Sequence, residues 1–323
     1  MAIISFIFLL TFNNGTRSKK YHTLFVEQIY ENRGEQMDIS VGDLVTRPSY
    51  ENDLLFKVHS IQNDIVILHG VELRLIADAP LNDLIRVSDA ELSRRRTAER
   101  IRTEFSYRLF RQDYQFIKQQ TDHDINDQFT GKVKPFHLPA KILHLDGDQI
   151  YLRKCIQLYE RIGLQVQGIH LKEKEMPSEI KPLIERLQPN IVVITGHDSY
   201  SRNKGDKNDL RAYHHSKYFA EAVREARRTV ADLDQLIIFA GACQSHFESI
   251  IRAGANFASS PGRINIHALD PVYVCAKVAF TPFMERVNVW GVLKNTLTGE
   301  QGIGGIETKG ILRVGIPFVE NEA

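Results

Sequence analysis

The chain has 323 residues, of which 25% are charged and 43% hydrophobic, and a formal net charge of +1. That is enough chain for a sizeable core in one or two domains, and the near-neutral balance supplies no global field for nucleic acid or an anionic membrane surface. Cys155, Cys243 and Cys275 are too few, and odd in number, for a disulfide framework, so each is expected to be core filler or a reactive thiol.

Ile3 to Phe12 is an apolar run too short to span a bilayer. It lacks a basic segment before it and a small-residue cleavage site after it, so it makes a poor signal peptide. Arg33-Gly34-Glu35 just ahead of Met37 back-translates into a purine-rich ribosome-binding string. Translation is therefore expected to begin at Met37, with residues 1–36 a mis-assigned extension.

Residues 37–88 carry short β-rich stretches, ISVGDLVTR, LLFKVHSI, DIVILHG and VELRLIA, separated by polar or glycine-containing breaks. They predict a small SH3-like β-barrel domain, either a packing meander or a module that holds a substrate or partner. Residues 89–139 predict a helix and linker. Ser88 or Asp89 can cap the helix, and Arg94, Arg95, Arg96, Arg100, Arg102, Arg108 and Arg111 stud it, with Leu92, Ile101, Phe105, Leu109 and Phe116 as its apolar set. A solvated basic face is the plain reading; a docking surface or an exposed cleavage site is the sharper one. Gly131, Pro135 and Pro139 break the polar stretch that follows.

From residue 140 to 323 strands and helices alternate. KILHL, LQVQGIHL, IVVIT and LIIFAGA read as strands; QIYLRKCIQLYERI, SEIKPLIERL, AYHHSKYFAEAVREARR and SHFESIIRA read as helices. This spacing predicts an α/β domain with a mostly parallel sheet flanked by helices. PVYVCAKVAF is a further apolar run, and TGEQGIGGIETKG looks like a glycine-rich hairpin.

In open α/β sheets ligands collect at the carboxyl ends of the strands. IVVIT runs into Gly196-His197-Asp198, and LIIFAGA runs into Cys243-Gln244-Ser245. If the two strands are neighbours, His197 and Cys243 emerge at one edge. A thiol there needs a base, because a free thiol is mostly protonated at neutral pH. Imidazole can take that proton and later deliver one to a leaving amine. Backbone N–H groups of Cys243 and Asp198 are the candidate oxyanion donors, and the amino terminus of the following helix is expected to favour the thiolate. Cys155 and Cys275 read as packing. His214, His215 and His246 are alternative histidines, and Cys243 with His246 could pair on zinc, though no second ligand pair accompanies them. No cofactor or metal is expected.

The order apolar strand–His, apolar strand–Ala-Cys resembles the caspase, gingipain and clostripain proteases, in which the His lies roughly 50 residues upstream; here 243 − 197 = 46. Two positions depart from that pattern: glycine precedes His197 rather than following it, and Ser245 stands where caspases have glycine. VGDLVTRPSY, DIVILHGVELRLIAD, VVITGHD, KGDKNDLRAYHHSKYF and FAGACQSHFESI together resemble the YabG family of sporulation-specific proteases of endospore-forming bacteria. The resemblance implies a caspase/gingipain-like fold and cysteine-type cleavage after arginine, with His197 and Cys243 as the catalytic pair. It also implies spore coat and cortex-associated proteins as substrates, in the mother-cell cytoplasm at the forming coat. By analogy with gingipain-like enzymes the end of the first strand supplies an acidic arginine pocket. That points to Asp146 or Asp148, with Asp206 and Asp209 behind them and helix capping as the plain role of Asp148. The basic segment 94–102 is a candidate for self-cleavage. A thiol-dependent amidohydrolase acting on a small amide and a non-catalytic coat scaffold are the competing functions. Neither nucleic acid nor a membrane is an expected partner.

Overall fold

The computed structural model describes residues 39–127, 135–138, 140–287 and 289–315. The Ile3–Phe12 run and the segment before Met37 lie outside the described residues. From Ser40 onward the chain clusters as one compact unit. No helix among the described residues is long and apolar enough to cross a membrane.

The amino-terminal strands are β1 (Leu44–Thr46), β2 (Phe56–Gln62), β3 (Ile65–Gly70), β4 (Ile76–Pro80) and β5 (Ile85–Arg86). They form one antiparallel sheet in the order β4-β3-β2-β1-β5. VELRLIA, expected as a strand, splits. Only its end joins β4, while residues 71–75 turn away from the sheet towards the larger part of the molecule. Gly70 allows that turn, because a Cβ there would lie 2.4 Å from the Leu73 carbonyl oxygen.

Helix α1 (Asp89–Asp127) starts on the Ser88 hydroxyl, which accepts the Glu91 N–H at 3.3 Å. Its apolar set is not the one expected. Tyr107 and Phe110 are buried, whereas Ile101, Phe105 and Phe116 are exposed, since the buried partner surface lies under a different stripe of this long helix. Its arginines form the expected solvated face, with Arg94, Arg96, Arg100, Arg102, Arg108 and Arg111 exposed; Arg95 is half-buried and donates to the Asn52 and Asp53 carbonyls, and Arg102 donates to that of Leu297. A short strand β6 (Phe136–Leu138) follows.

The α/β part comprises β7 (Ile142–Asp146), α2 (Gln149–Ile162), β8 (Val166–His170), α3 (Met176–Leu187), β9 (Ile191–Thr195), α4 (Ser216–Thr229), β10 (Ile237–Ala240), α5 (Phe247–Arg252) and β11 (Phe257–Ser259). Next come α6 (Asp270–Phe280), β12 (Arg286–Val287), α7 (Val289–Leu293), β13 (Ile303–Gly305), β14 (Thr308–Lys309) and β15 (Arg313–Gly315). The main sheet has the order β13-β11-β10-β9-β7-β8, parallel except for β13. The fold is thus α/β with a mostly parallel, helix-covered sheet. Successive residues of β9 face opposite sides: Ile191 and Val193 join a core with Tyr159 and Tyr273, while Val192 and Ile194 join one with Ile180 and Phe219. Both faces are covered, which is why IVVIT is uniformly apolar.

PVYVCAKVAF is α6, and every residue from Asp270 to Phe280 except Lys277 is buried. The glycine-rich stretch is not a hairpin: β13 pairs with β11 and β14 with β12. Its glycines serve close approach instead, since a Cβ at Gly305 would lie 2.5 Å from the Asn256 carbonyl oxygen.

Candidate active site

β9 and β10 are parallel neighbours, with Ile194 opposite Ala240. Their carboxyl ends therefore leave the sheet side by side. The His197 N–H donates to Glu173 Oε1 at 2.9 Å. Glu173 fits there because two glycines flank it: a Cβ on Gly147 or Gly196 would lie 2.2 or 2.4 Å from Oε1. Gly196→Ala is accordingly expected to displace Glu173, free the His197 N–H and destabilise the protein by about 1–3 kcal/mol, which thermal unfolding will read as a lowered midpoint.

The His197 ring is 2% exposed. It packs against His69, 4.2 Å between ring centroids, and Tyr151, 5.4 Å. His59 stacks behind His69 at 4.1 Å. Nε2 of His197 lies 3.7 Å from Asp148 Oδ2 and has no hydrogen-bond partner. Burial pushes the His197 pKa well below its ordinary value, and His69 adds to this. Beside it opens a groove of about 510 Å³, walled in part by Lys57, His59, His69, Asp148, Tyr151 and Lys154.

Cys243 is fully buried. Its Sγ accepts the Ile266 N–H at 3.2 Å and faces the Ile266 carbonyl at 3.4 Å. Burial pushes the thiol up to about 12, with the Ile266 contact and Arg74 opposing only in part. The following helix does not reach it. α5 begins at Phe247, because His246 takes the capping position and its Nδ1 accepts the Ser249 N–H at 3.2 Å. The donor at the sulfur is thus the Ile266 N–H rather than a helix terminus. With Nδ1 used in the cap and Nε2 facing the Asn208 carbonyl at 3.3 Å, His246 is occupied away from any zinc pair with Cys243.

Asp198 ties the two loops together. Its carboxylate accepts from the N–H groups of Ser199 and His215 at 2.9 and 2.8 Å and from the hydroxyls of Ser216 and Ser245. Ser245 Oγ also accepts the Ala242 N–H at 2.9 Å. The serine where caspases have glycine therefore fixes the Cys243 loop to the His197 loop. His215 Nδ1 donates to the His197 carbonyl at 2.7 Å.

The backbone N–H groups of Cys243 and Asp198 converge on one atom. Both donate, at 3.2 Å each, to the carbonyl oxygen of Arg74. The Arg74 side chain, also fully buried, enters a pocket at the end of β7. Its Nη1 lies 2.9 Å from Asp146 Oδ1 and 2.8 Å from Oδ2. Nε and Nη2 donate to the Ala268 carbonyl at 3.3 and 3.0 Å. Nη2 lies 3.5 Å from Cys155 Sγ, and the guanidinium carbon sits 5.1 Å from the Tyr151 ring centroid. Cys155 thus walls the pocket, while Cys275 is packed in α6.

Of the acidic candidates, Asp146 is the one on the guanidinium. Asp148 caps α2, accepting from the N–H groups of Ile150 and Tyr151 at 2.7 and 2.9 Å, and turns its other oxygen to His197. Asp206 and Asp209 shape the loop after His197, accepting the N–H groups of Asn208 and Arg211 at 2.9 Å each. Ligand atoms of His69, Asp148 and His197 lie within 4.8 Å of one another, close enough for an ion, as do those of His144, Asp146 and Cys155.

Burial alone would raise the Asp146 carboxyl, but Arg74 and His144 hold it well below the usual carboxylate range. The unfolded chain therefore binds that proton first as pH falls. Stability from this pair is complete above the ordinary carboxylate range and lost as pH drops towards the depressed folded value. Thermal midpoints followed downward from about pH 5 should fall more steeply for the wild type than for Asp146→Asn.

Sequence reasoning missed Arg74, His69, Tyr151, Glu173, Ile266 and Ala268 as site residues. One signal was present for Arg74: a cation between two leucines in the otherwise apolar stretch LRLIA.

The family model for YabG peptidase U57 matches residues 40–317. The chain is also 53% identical over 290 residues to the sporulation-specific protease YabG of Bacillus subtilis (strain 168), covering 88% of this chain and 100% of the relative. The family-model match runs through the sheet, the two strand ends and the Arg74 segment described above, and by both matches the chain belongs to the YabG peptidase family.

Proposed function

We propose that the protein is a cysteine endopeptidase that cleaves after arginine, with Cys243 as nucleophile and His197 as general base. The observation that carries this reading is the double convergence on Arg74. Two backbone N–H groups meet its carbonyl oxygen while a buried carboxylate meets its guanidinium. That is the pattern an arginine-directed acyl-transfer site needs. His197 takes the thiol proton, the thiolate attacks the arginine carbonyl carbon, and the N–H groups of Cys243 and Asp198 hold the oxyanion. His197 returns the proton to the leaving amine, and water then hydrolyses the thioester. Asp198 contributes through its backbone, and its carboxylate keeps that backbone in place.

His197 and Cys243 on neighbouring parallel strands favour kinship with the caspase and gingipain fold. The short antiparallel sheet before them suits an SH3-like module. The name of the Bacillus subtilis relative, a sporulation-specific protease, extends the reading to sporulation; coat and cortex-associated proteins in the mother cell are the substrates we propose from the family resemblance. Coat-protein extracts incubated with wild-type protein should acquire new carboxyl termini at arginine, read by peptide mass spectrometry, and none with Cys243→Ala. New termini without arginine preference, or equal cleavage by the variant, would sink the assignment.

A further inference from the structure

Residues 72–75 lie in the cleft as a bound peptide would. On one side the Ala268 N–H donates to the Glu72 carbonyl at 2.9 Å, and Leu73 bridges antiparallel to His267. On the other, the Ile76 N–H donates to the Asp198 carbonyl at 3.3 Å, and Leu75 bridges parallel to Asp198. Tyr151 Oη donates to the carbonyls of Gly70 and Leu73. Between these pairings Arg74 presents its carbonyl to the Cys243 and Asp198 N–H groups and its side chain to Asp146. A purely structural arginine accounts for the buried ion pair alone. It does not account for the carbonyl of the same residue being delivered to the strand ends of β9 and β10.

We propose that the uncut chain is latent and is its own first substrate: the Glu72–Leu75 strap fills the cleft, and Cys243 opens it by cutting the Arg74–Leu75 bond. This deepens the arginine-directed reading above and rests on it. In the cut, the Cys243 proton passes to His197 and the Sγ–C bond to Arg74 forms. The Arg74–Leu75 C–N bond then breaks, with the proton delivered to the Leu75 amine. Water next supplies a hydroxyl to the Arg74 carbonyl and a proton to the thiol, leaving a carboxylate on Arg74. The Leu75 side stays in place, because β4 remains paired with β3 from Ile65↔Pro80 to His69↔Ile76. The Arg74 side becomes a four-residue tail beyond Gly70 that can leave the pocket to an incoming arginine. With the strap in place Cys243 is fully covered and its thiol stays protonated, which suits a latent state. The basic stretch 94–102 is less suited to self-cleavage, since it lies within the continuous helix α1 and must unwind before it can be threaded through a cleft.

The test is intact-protein mass spectrometry of full-length wild type, Cys243→Ala and Arg74→Lys over time, with arginyl-peptide cleavage and iodoacetamide labelling of Cys243 measured on the same samples. Wild type should break between Arg74 and Leu75, its two pieces co-eluting. Peptidase activity and thiol labelling should rise at least about tenfold as the cut fraction grows. Cys243→Ala should stay whole but be cut at the same bond when mixed with wild type. Arg74→Lys, which keeps the buried charge and the fold, should be cut at least about tenfold more slowly. Thiol-dependent peptide cleavage at full rate by protein whose Arg74–Leu75 bond stays intact would overturn the strap and leave the peptidase reading standing. No thiol-dependent cleavage of the peptide or of this bond would overturn both.

Discussion

Cys243→Ala is expected to lower cleavage of an arginyl peptide by about a million-fold, to the background left by substrate binding and the oxyanion donors. His197→Ala should cost nearly as much, and the double variant little more, because nucleophile and base act as one unit. Both single variants also keep the strap uncut, which by itself would suppress activity. Each should therefore be cut first by a trace of wild-type protein, since removed, and then assayed. Recovery of activity in cut His197→Ala to within about a hundredfold of wild type would show that another group is the base. His215 is one alternative, but its Nδ1 donates to the His197 carbonyl and it works on the backbone of this loop. His69 is held to a pKa of about 4 by burial and by His59 and His215, so it enters the site as a neutral ring against which His197 packs.

The second large effect concerns Asp146. In the cut enzyme Asp146→Ala should reduce kcat/KM for arginyl peptides by at least about a thousandfold while changing turnover after uncharged residues far less. A site built to bind one polar group rejects, or loses, that group by this order. In the uncut protein the same substitution has a separate consequence. It leaves the buried Arg74 guanidinium unpaired, costing about 3–5 kcal/mol of stability. The combined Arg74→Met/Asp146→Leu variant removes both charges and should regain most of that stability without regaining arginine cleavage. Asp148→Ala supplies the contrast: it loses a helix cap worth about 1 kcal/mol but keeps arginine preference. Loss of arginine preference in Asp148→Ala with retention in Asp146→Ala would reverse the assignment.

These expectations change how the amino-terminal sheet is to be tested. A deletion of residues 37–88 would remove more than a recruitment module. His69, which packs on His197, and Arg74, which fills the pocket, both come from that segment. Loss of coat-protein processing on deletion would therefore not single out recruitment; point changes on the outer face of the sheet, away from His69, are the cleaner probe.

By itself the sequence determined the alternating elements and the residues that leave the central strands. IVVIT and QIYLRKCIQLYERI coincide with β9 and α2 because both are written in strong local code: a strand covered on both faces must be apolar throughout, and an amphipathic helix between an Asp cap and a glycine stop is bounded by its own chemistry. His197 and Cys243 were legible for the same reason, as reactive side chains directly after such strands. Only the tertiary structure decided what surrounds them. Strand order had to make β9 and β10 neighbours before the two residues could share an edge. Ile266 and Ala268, far along the chain, had to fold back to meet the thiol and the pocket. The turn at Gly70 had to lift residues 71–75 out of the sheet that the run VELRLIA predicts, because the pull on Arg74 comes from a carboxylate 72 residues away and from two N–H groups that no local pattern encodes. The acidic end of the first α/β strand was visible from the start; that its guanidinium partner is supplied by the chain itself was not.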